Sequence, residues 1–365
     1  MPMAMDSSPL MNALLAWAAG HINCFDNTFT SAASEYRSSA LISVASSLPS
    51  SYPASQLAET ETTLAACLVL CSAEISTCAS NGWYDHLMGA KGIIESAVAQ
   101  CPGGVILRGT ECFMRTQDGQ WLLRDFAYHD VLGSVTMGCE PLIKGRYWIP
   151  GDQPVLDAYV GVGSEILAMI SEICCLKTEV DETAVFTGWD EQDDVLQGLL
   201  QNSGAWQPFF RIESQLKQWD CLGATNEYLI ELAESYRCAA LICLYRKARD
   251  FFPWDTPRLD ELIAEQVREL VALFEIIPYQ SMPEGGLLFP VFIAGGETMD
   301  NEFIAIIRTR LQGFKAHRGF THISLAEDVL EELWRLKKRN VTGPDGKPVD
   351  WMDILRRRGL KLMLH

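Results

Sequence analysis

Gly285-Gly-Leu-Leu-Phe-Pro-Val-Phe-Ile-Ala-Gly-Gly-Glu-Thr-Met-Asp-Asn-Glu-Phe-Ile-Ala-Ile-Ile-Arg-Thr-Arg310 holds the plainest structural signal in the chain. Two glycine pairs, Gly285-Gly286 and Gly295-Gly296, bracket an apolar run at 287–294. The run is too short to span a bilayer, which takes about 20 apolar residues, so it reads as a short, fully buried element. Behind it, Phe303, Ile304, Ile307, Leu311 and Phe314 fall on one helical face, with Arg308, Arg310 and Lys315 expected to point elsewhere. Nothing in the stretch carries catalytic chemistry.

The same period runs outward in both directions. Leu64, Cys67, Leu68, Cys71, Ile75 and Cys78 form one stripe of a long helix from about Ser55. Further helices are expected over 83–98, 120–137, 155–176, 194–219, 226–249 and 257–277, and residues 10–20 read as a first helix rather than a signal peptide, since a basic n-region is lacking. Ser324 and Glu327 suggest a capping box opening a helix with Leu325, Val329, Leu330, Leu333 and Trp334. Residues 141–154 are the longest irregular stretch, with Tyr147 and Trp148 expected to pin it to the core. Strand-like alternation is rare and no repeat is present. These patterns predict an all-α protein, a single large domain over 1–365 of roughly a dozen antiparallel packed helices.

Composition sets limits on function. The chain has 365 residues, 48% of them hydrophobic, with ten Trp, which supports a large core, and a net charge of -18, which opposes bulk binding to nucleic acid. The charge is uneven. Residues 335–365 hold nine Lys/Arg against three Asp, whereas residues 179–194 hold seven acids and no base. Solvated surface explains both runs. The sharper alternatives are a nuclear-import or phosphate-contacting patch at the basic end and an interaction loop at the acidic one. The twelve Cys are scattered among apolar neighbours, which fits reduced, packed thiols better than a disulfide framework. No segment is long and apolar enough to cross a membrane as a helix.

Candidate chemistry is sparse. Cys67, Cys71 and Cys78 share an apolar stripe, and no Cys-x2-Cys occurs, so no metal site is expected. His129 and Asp130 are adjacent, but neighbouring helical residues point about 100° apart, so a satisfied core histidine is the simpler reading. No nucleophile elbow, zincin, P-loop or dinucleotide motif is present. Trp83, His86, Gly89 and Ala90 lie on neighbouring turns and suggest a close helix–helix approach, with His86 as a buried hydrogen-bonding group. A helical glycine costs about 1 kcal/mol relative to Ala, so close packing is the expected compensation.

Four segments recur in a recognisable order: Trp83-Tyr-Asp-His86-Leu-Met-Gly89-Ala90, then 122–132 with His129-Asp130, then 233–245 with Tyr236, then 288–297 with Phe292 and Gly295. Together they resemble the fungal-specific transcription factor regulatory domain found C-terminal to six-cysteine zinc-cluster modules, over about residues 10–364. The resemblance implies an all-α domain, a nuclear location and a regulatory role through a protein partner, such as a full-length relative, or a small-molecule effector. It carries over no catalytic residue. Zinc belongs to family members that keep the six-cysteine module, and this chain shows no such segment, so no cofactor and no direct DNA binding are expected. Either the chain lacks its DNA-binding end or it acts through partners. Two other readings stay open: a helical ligand-binding protein or enzyme using His86, His129 or a Cys, marked by a polar cavity where they converge, and a scaffold that dimerises through an exposed apolar helix face.

Overall fold

The apolar run between the glycine pairs is a helix, and it sits where the rest of the structure meets. In the computed structural model the described residues are 2–47, 57–77, 81–101, 103–149, 160–176, 207–221, 226–344 and 346–365. Among them are fifteen α-helices: α1 (Pro2–Met5), α2 (Ser8–Asn23), α3 (Thr30–Ser47), α4 (Leu57–Thr77), α5 (Gly82–Ser96), α6 (Thr110–Phe113), α7 (Gln117–Met137), α8 (Ser164–Cys175), α9 (Gln207–Gln218), α10 (Glu227–Phe251), α11 (Thr256–Ile276), α12 (Leu288–Glu297), α13 (Asn301–Arg318), α14 (Thr321–Lys338) and α15 (Trp351–Arg358). The protein is all-α apart from one small antiparallel hairpin, β1 (Val98–Gln100) with β2 (Ile106–Arg108), in which Ala99 pairs with Leu107. The end of the expected 83–98 helix therefore belongs to a strand. The acidic run at 179–194 and Cys78 lie outside the described residues.

Every residue from Leu288 to Gly296 in α12 is buried. Pro290 falls in the first turn of this helix, where its missing N–H has no intrahelical partner to lose. α12 packs on α10, α11, α13 and α14, while α4 packs on α2, α5, α7 and α14. The apolar residues of these elements, from Ala4 to Leu364, form one connected cluster. α10 and α11 are joined by four residues, 252–255, and pack along each other as an antiparallel pair.

Two local expectations differ from the structure. Ser324 lies inside α14, which begins at Thr321 behind Phe320, and no side chain caps it. Phe320 stacks near His21 and His322, so tertiary packing sets the entry of this helix. A capping box does occur at α15, where Asp350 and Asp353 reciprocate. Arg310, expected on the outer face of α13, is only 2% exposed, whereas Arg308 and Lys315 are solvent-facing. Trp148 is buried as expected, edge-on to Tyr147 at 4.9 Å. Among the described residues, no helix is long and apolar enough to cross a membrane.

Candidate functional site

Several of the residues singled out in the sequence lie in the core, where they join distant parts of the chain. Trp83 on α5 is 1% exposed and donates its Nε1–H to the Lys361 carbonyl at 3.0 Å, tying α5 to the C-terminal segment. On α10, Tyr236 donates its hydroxyl to the Gly286 carbonyl at 2.9 Å and sits 2.9 Å from the Tyr128 hydroxyl of α7. Its ring stacks on Phe289 of α12 at 5.6 Å. Phe292 meets Trp351 of α15 edge-to-face at 5.4 Å. Gly295 lets α14 approach: an added Cβ would lie 2.8 Å from Leu330 Cδ1, and the Gly295 carbonyl accepts Trp334 Nε1–H at 2.8 Å.

His129 and Asp130 diverge, as the helical geometry of α7 requires. Asp130 is 2% exposed and accepts the backbone N–H groups of Leu142 at 2.7 Å and Ile143 at 3.1 Å, so it anchors the loop after α7. Burial pushes its carboxyl up to about 6, against the pull of those two N–H groups. His129 is fully buried and faces α4. Its Nδ1 lies 2.8 Å from the Asp125 carbonyl, which can only accept, so Nδ1 carries the proton.

Around His129 the chain assembles an order of groups that the sequence does not announce. Ser72 Oγ is 3.5 Å from His129 Nε2, and Asp125 Oδ1 is 3.5 Å from Nδ1. Ser, His and carboxylate in this order resemble a hydrolase triad. The geometry is not catalytic. Ser72, His129 and Asp125 are 5%, 0% and 4% exposed, and the Nδ1–H is directed to the backbone rather than to the carboxylate. His365 packs edge-on to His129 at 4.6 Å, and His322 lies beyond it at 5.5 Å. Burial pushes His322 down to about 4 despite its carbonyl contacts to His365 and Ile75. Burial also pushes His365 well below the usual histidine range, so His129 sits in an enclosed centre beside two imidazoles that burial keeps uncharged.

The Trp83 segment divides in two. Ala90 is buried, but Gly89 is exposed and an added Cβ would meet nothing within 4 Å, so the expected close approach at Gly89 is absent. His86 is half-exposed rather than buried; its ring is pushed below the usual histidine range, mainly by burial. The helix rotates Trp83, Leu87 and Ala90 inward, and the core stripe passes beside His86 and Gly89.

A second set of contacts closes α12. Glu297 pairs with Arg246 and with Arg249 at 2.9 Å, and Arg246 also reaches Asp350 at 2.8 Å. Lys337 caps the Gly296 carbonyl at 2.9 Å. Charges of the basic tail find partners at the surface: Arg357 and Arg358 pair with Glu332, and Arg356 lies 3.3 Å from Asp353. Cys67, Cys71, Cys112, Cys238 and Cys243 are buried thiols, whereas Cys24 and Cys139 are exposed. Cys71 donates to the Trp83 carbonyl at 3.4 Å, and burial raises its thiol well above the usual value. Among the described residues, no group of His, Cys, Asp and Glu is arranged to hold a metal ion.

Two cavities of about 210 Å³ open at the periphery. One, between α9, α10 and α11, is bordered by Phe209, Glu213, Tyr245 and Phe252, with Tyr245 donating to Glu213 at 3.0 Å. The other lies between α2, α3 and α4. Neither is lined by Ser72, His129 or Asp125.

The sequence profile of the fungal specific transcription factor domain matches residues 1–365. No curated protein and no solved structure matches the chain. The profile spans every element that carries the contacts above, and the chain belongs to the fungal-specific transcription factor domain family.

Proposed function

We propose that this chain acts in the nucleus as a transcription regulator that responds to a protein partner or a small effector, and that it does not meet DNA through a zinc cluster of its own residues. The observation that carries the reading is the family match over the whole chain. The family is one of transcription factors rather than enzymes, and the enclosed surroundings of His129 accord with that. The absence of any Cys-x2-Cys spacing supports leaving zinc out of the reading. Fusion of the chain to a heterologous DNA-binding domain tests it. Reporter output should change relative to that domain alone, and the tagged chain should concentrate in the nucleus. Confinement to the cytosol, with unchanged transcripts on deletion of the gene, would reject the reading.

A second reading, self-association, is favoured by α3. This helix of 18 residues buries only Ala40 and Val44, and Ile42 is 71% exposed. Its only charged residues are Glu35 and Arg37. Two copies of a chain with net charge -18 repel over most of their surface, and a nearly neutral helix is where that repulsion is least. Sedimentation should then show a dimer that dissociates in Ile42→Asp. A monomer at all concentrations would exclude it.

A further inference from the structure

The cavity between α2, α3 and α4 has a built chemistry that the contacts described so far leave unused. Its volume of about 210 Å³ is room for a small molecule. Part of its wall is apolar, from Gly20 of α2, Ala33 of α3 and Leu70 and Ala73 of α4. The helices come close at its edge, where a Cβ on Gly20 would lie 3.1 Å from Thr77 Cγ2. Two opposite charges open onto this space. Glu74 of α4 is 3% exposed, and Arg37 of α3 reaches across to pair with it while its own side chain stays 50% exposed. Asn23 and Ser34 supply neutral hydrogen-bonding groups at the rim. His86, the half-exposed histidine of α5, lies within electrostatic reach of both charges.

We propose that this cavity binds a free α-amino acid, with the ammonium on Glu74 and the carboxylate on Arg37. A buried carboxylate beside a cavity requires a cationic partner, because desolvation penalises a charge that loses one. Arg37 supplies it from the rim when the cavity is empty. A zwitterion can enter between the two and exchange one ion pair for two. Its carboxylate meets the planar fork of the guanidinium, which suits bidentate contact. A simple carboxylic acid would draw Arg37 from Glu74 and put nothing in its place. A simple amine would satisfy Glu74 and forgo the guanidinium. Ala33, Leu70 and Ala73 favour an aliphatic side chain. A bound amino acid would clamp the α2–α3 hairpin onto α4. The proposal gives the small-effector reading a site and a ligand class, and it rests on that reading only for its consequence in transcription.

Calorimetric titration of the purified chain with each of the twenty L-amino acids tests the site without any transcriptional readout. At least one aliphatic amino acid should bind saturably. Its decarboxylated amine and its N-acetyl derivative should each bind at least about tenfold more weakly. Arg37→Gln should weaken binding by a similar factor, and so should Ala33→Leu, which fills the cavity and keeps both charges. Thermal melts of each variant establish that it is folded. Three results would overturn the site: no binding at about 10 mM, equal binding of the single-charge analogues, or undiminished binding in folded Ala33→Leu. Binding together with a silent reporter fusion would reject the regulatory reading and leave the site standing.

Discussion

Arg310 Nη1 and Glu284 Oε1 meet 3.3 Å apart with only 2% of either side chain exposed. The guanidinium also donates to the carbonyls of Phe274 and Ile277 at the end of α11, and it lies 4.1 Å over the Tyr279 ring. Glu284 in turn accepts the Gln280 N–H at 2.7 Å. One cation thus holds the end of α11, the segment entering α12, and α13. Removing one partner of such a pair leaves a buried charge, at a cost of about 3–5 kcal/mol. Arg310→Ala should lose about that much in urea unfolding. The double variant Arg310→Met/Glu284→Gln should lose clearly less than the sum of the singles. Additive losses would show that the two side chains are not coupled.

The position of Arg310 was legible in the sequence, and chemistry-based sorting obscured it. Residue 310 follows Ile307 by three and precedes Phe314 by four, so it shares their face. Charge argued for the surface, and the uncapped carbonyls of α11 overrode it. Helix periods of α4, α10 and α13 could be read directly because local spacing determines them, whereas the uniformly apolar run of α12 has no period and showed only that it is buried. The Ser72–His129–Asp125 grouping and the Arg37–Glu74 cavity could not. Both join residues from separate helices, and their existence depends on how helices cross, which no local period encodes.

Glycine gives a contrast between two helical positions. At Gly295 an added Cβ would lie 2.8 Å from Leu330 Cδ1, within a packed layer of α12 and α14. Gly295→Ala should cost about 1–3 kcal/mol through overpacking. At Gly89 an added Cβ meets nothing within 4 Å, and the residue is exposed inside α5. Gly89→Ala should stabilise by about 1 kcal/mol through helix propensity alone. Thermal unfolding of the two variants should shift in opposite directions. A shift of the same sign would mean that Gly89 has a packing partner.

The order Ser72, His129, Asp125 predicts nothing catalytic while it stays enclosed. A fluorophosphonate probe should leave Ser72 unlabelled in the folded chain, because the serine is 5% exposed and its hydroxyl is a long 3.5 Å from Nε2. Ser72→Ala should leave the output of the reporter fusion unchanged. Labelling that maps to Ser72 would return the hydrolase reading to consideration.

Buried groups of opposite sign give this protein a pH dependence that single variants can separate. His322 titrates near 4 in the fold against 6.5 ordinarily, because burial disfavours the imidazolium. The unfolded chain therefore binds the proton first. The contribution of His322 is full above 6.5 and is lost as pH falls through about 4. Asp130 titrates near 6 against 3.8, because burial disfavours the carboxylate. Here the folded chain binds the proton first, so the contribution is full below 3.8 and is lost as pH rises through about 6. Between those values the two groups oppose each other. Glu297 adds a third dependence lower down. Burial raises its carboxyl, but Arg246 and Arg249 outweigh that and hold it at about 2 against 4.5, so its contribution fades only as pH falls from 4.5 toward 2. Relative to wild type, His322→Asn should lose less stability on acidification from about pH 6.5 to 5, by about 2 kcal/mol. Asp130→Asn should lose more over about pH 6 to 4.5, by a similar amount. Urea unfolding at a series of pH values reads both slopes. Variants that keep the wild-type slope would show that neither group is buried as described.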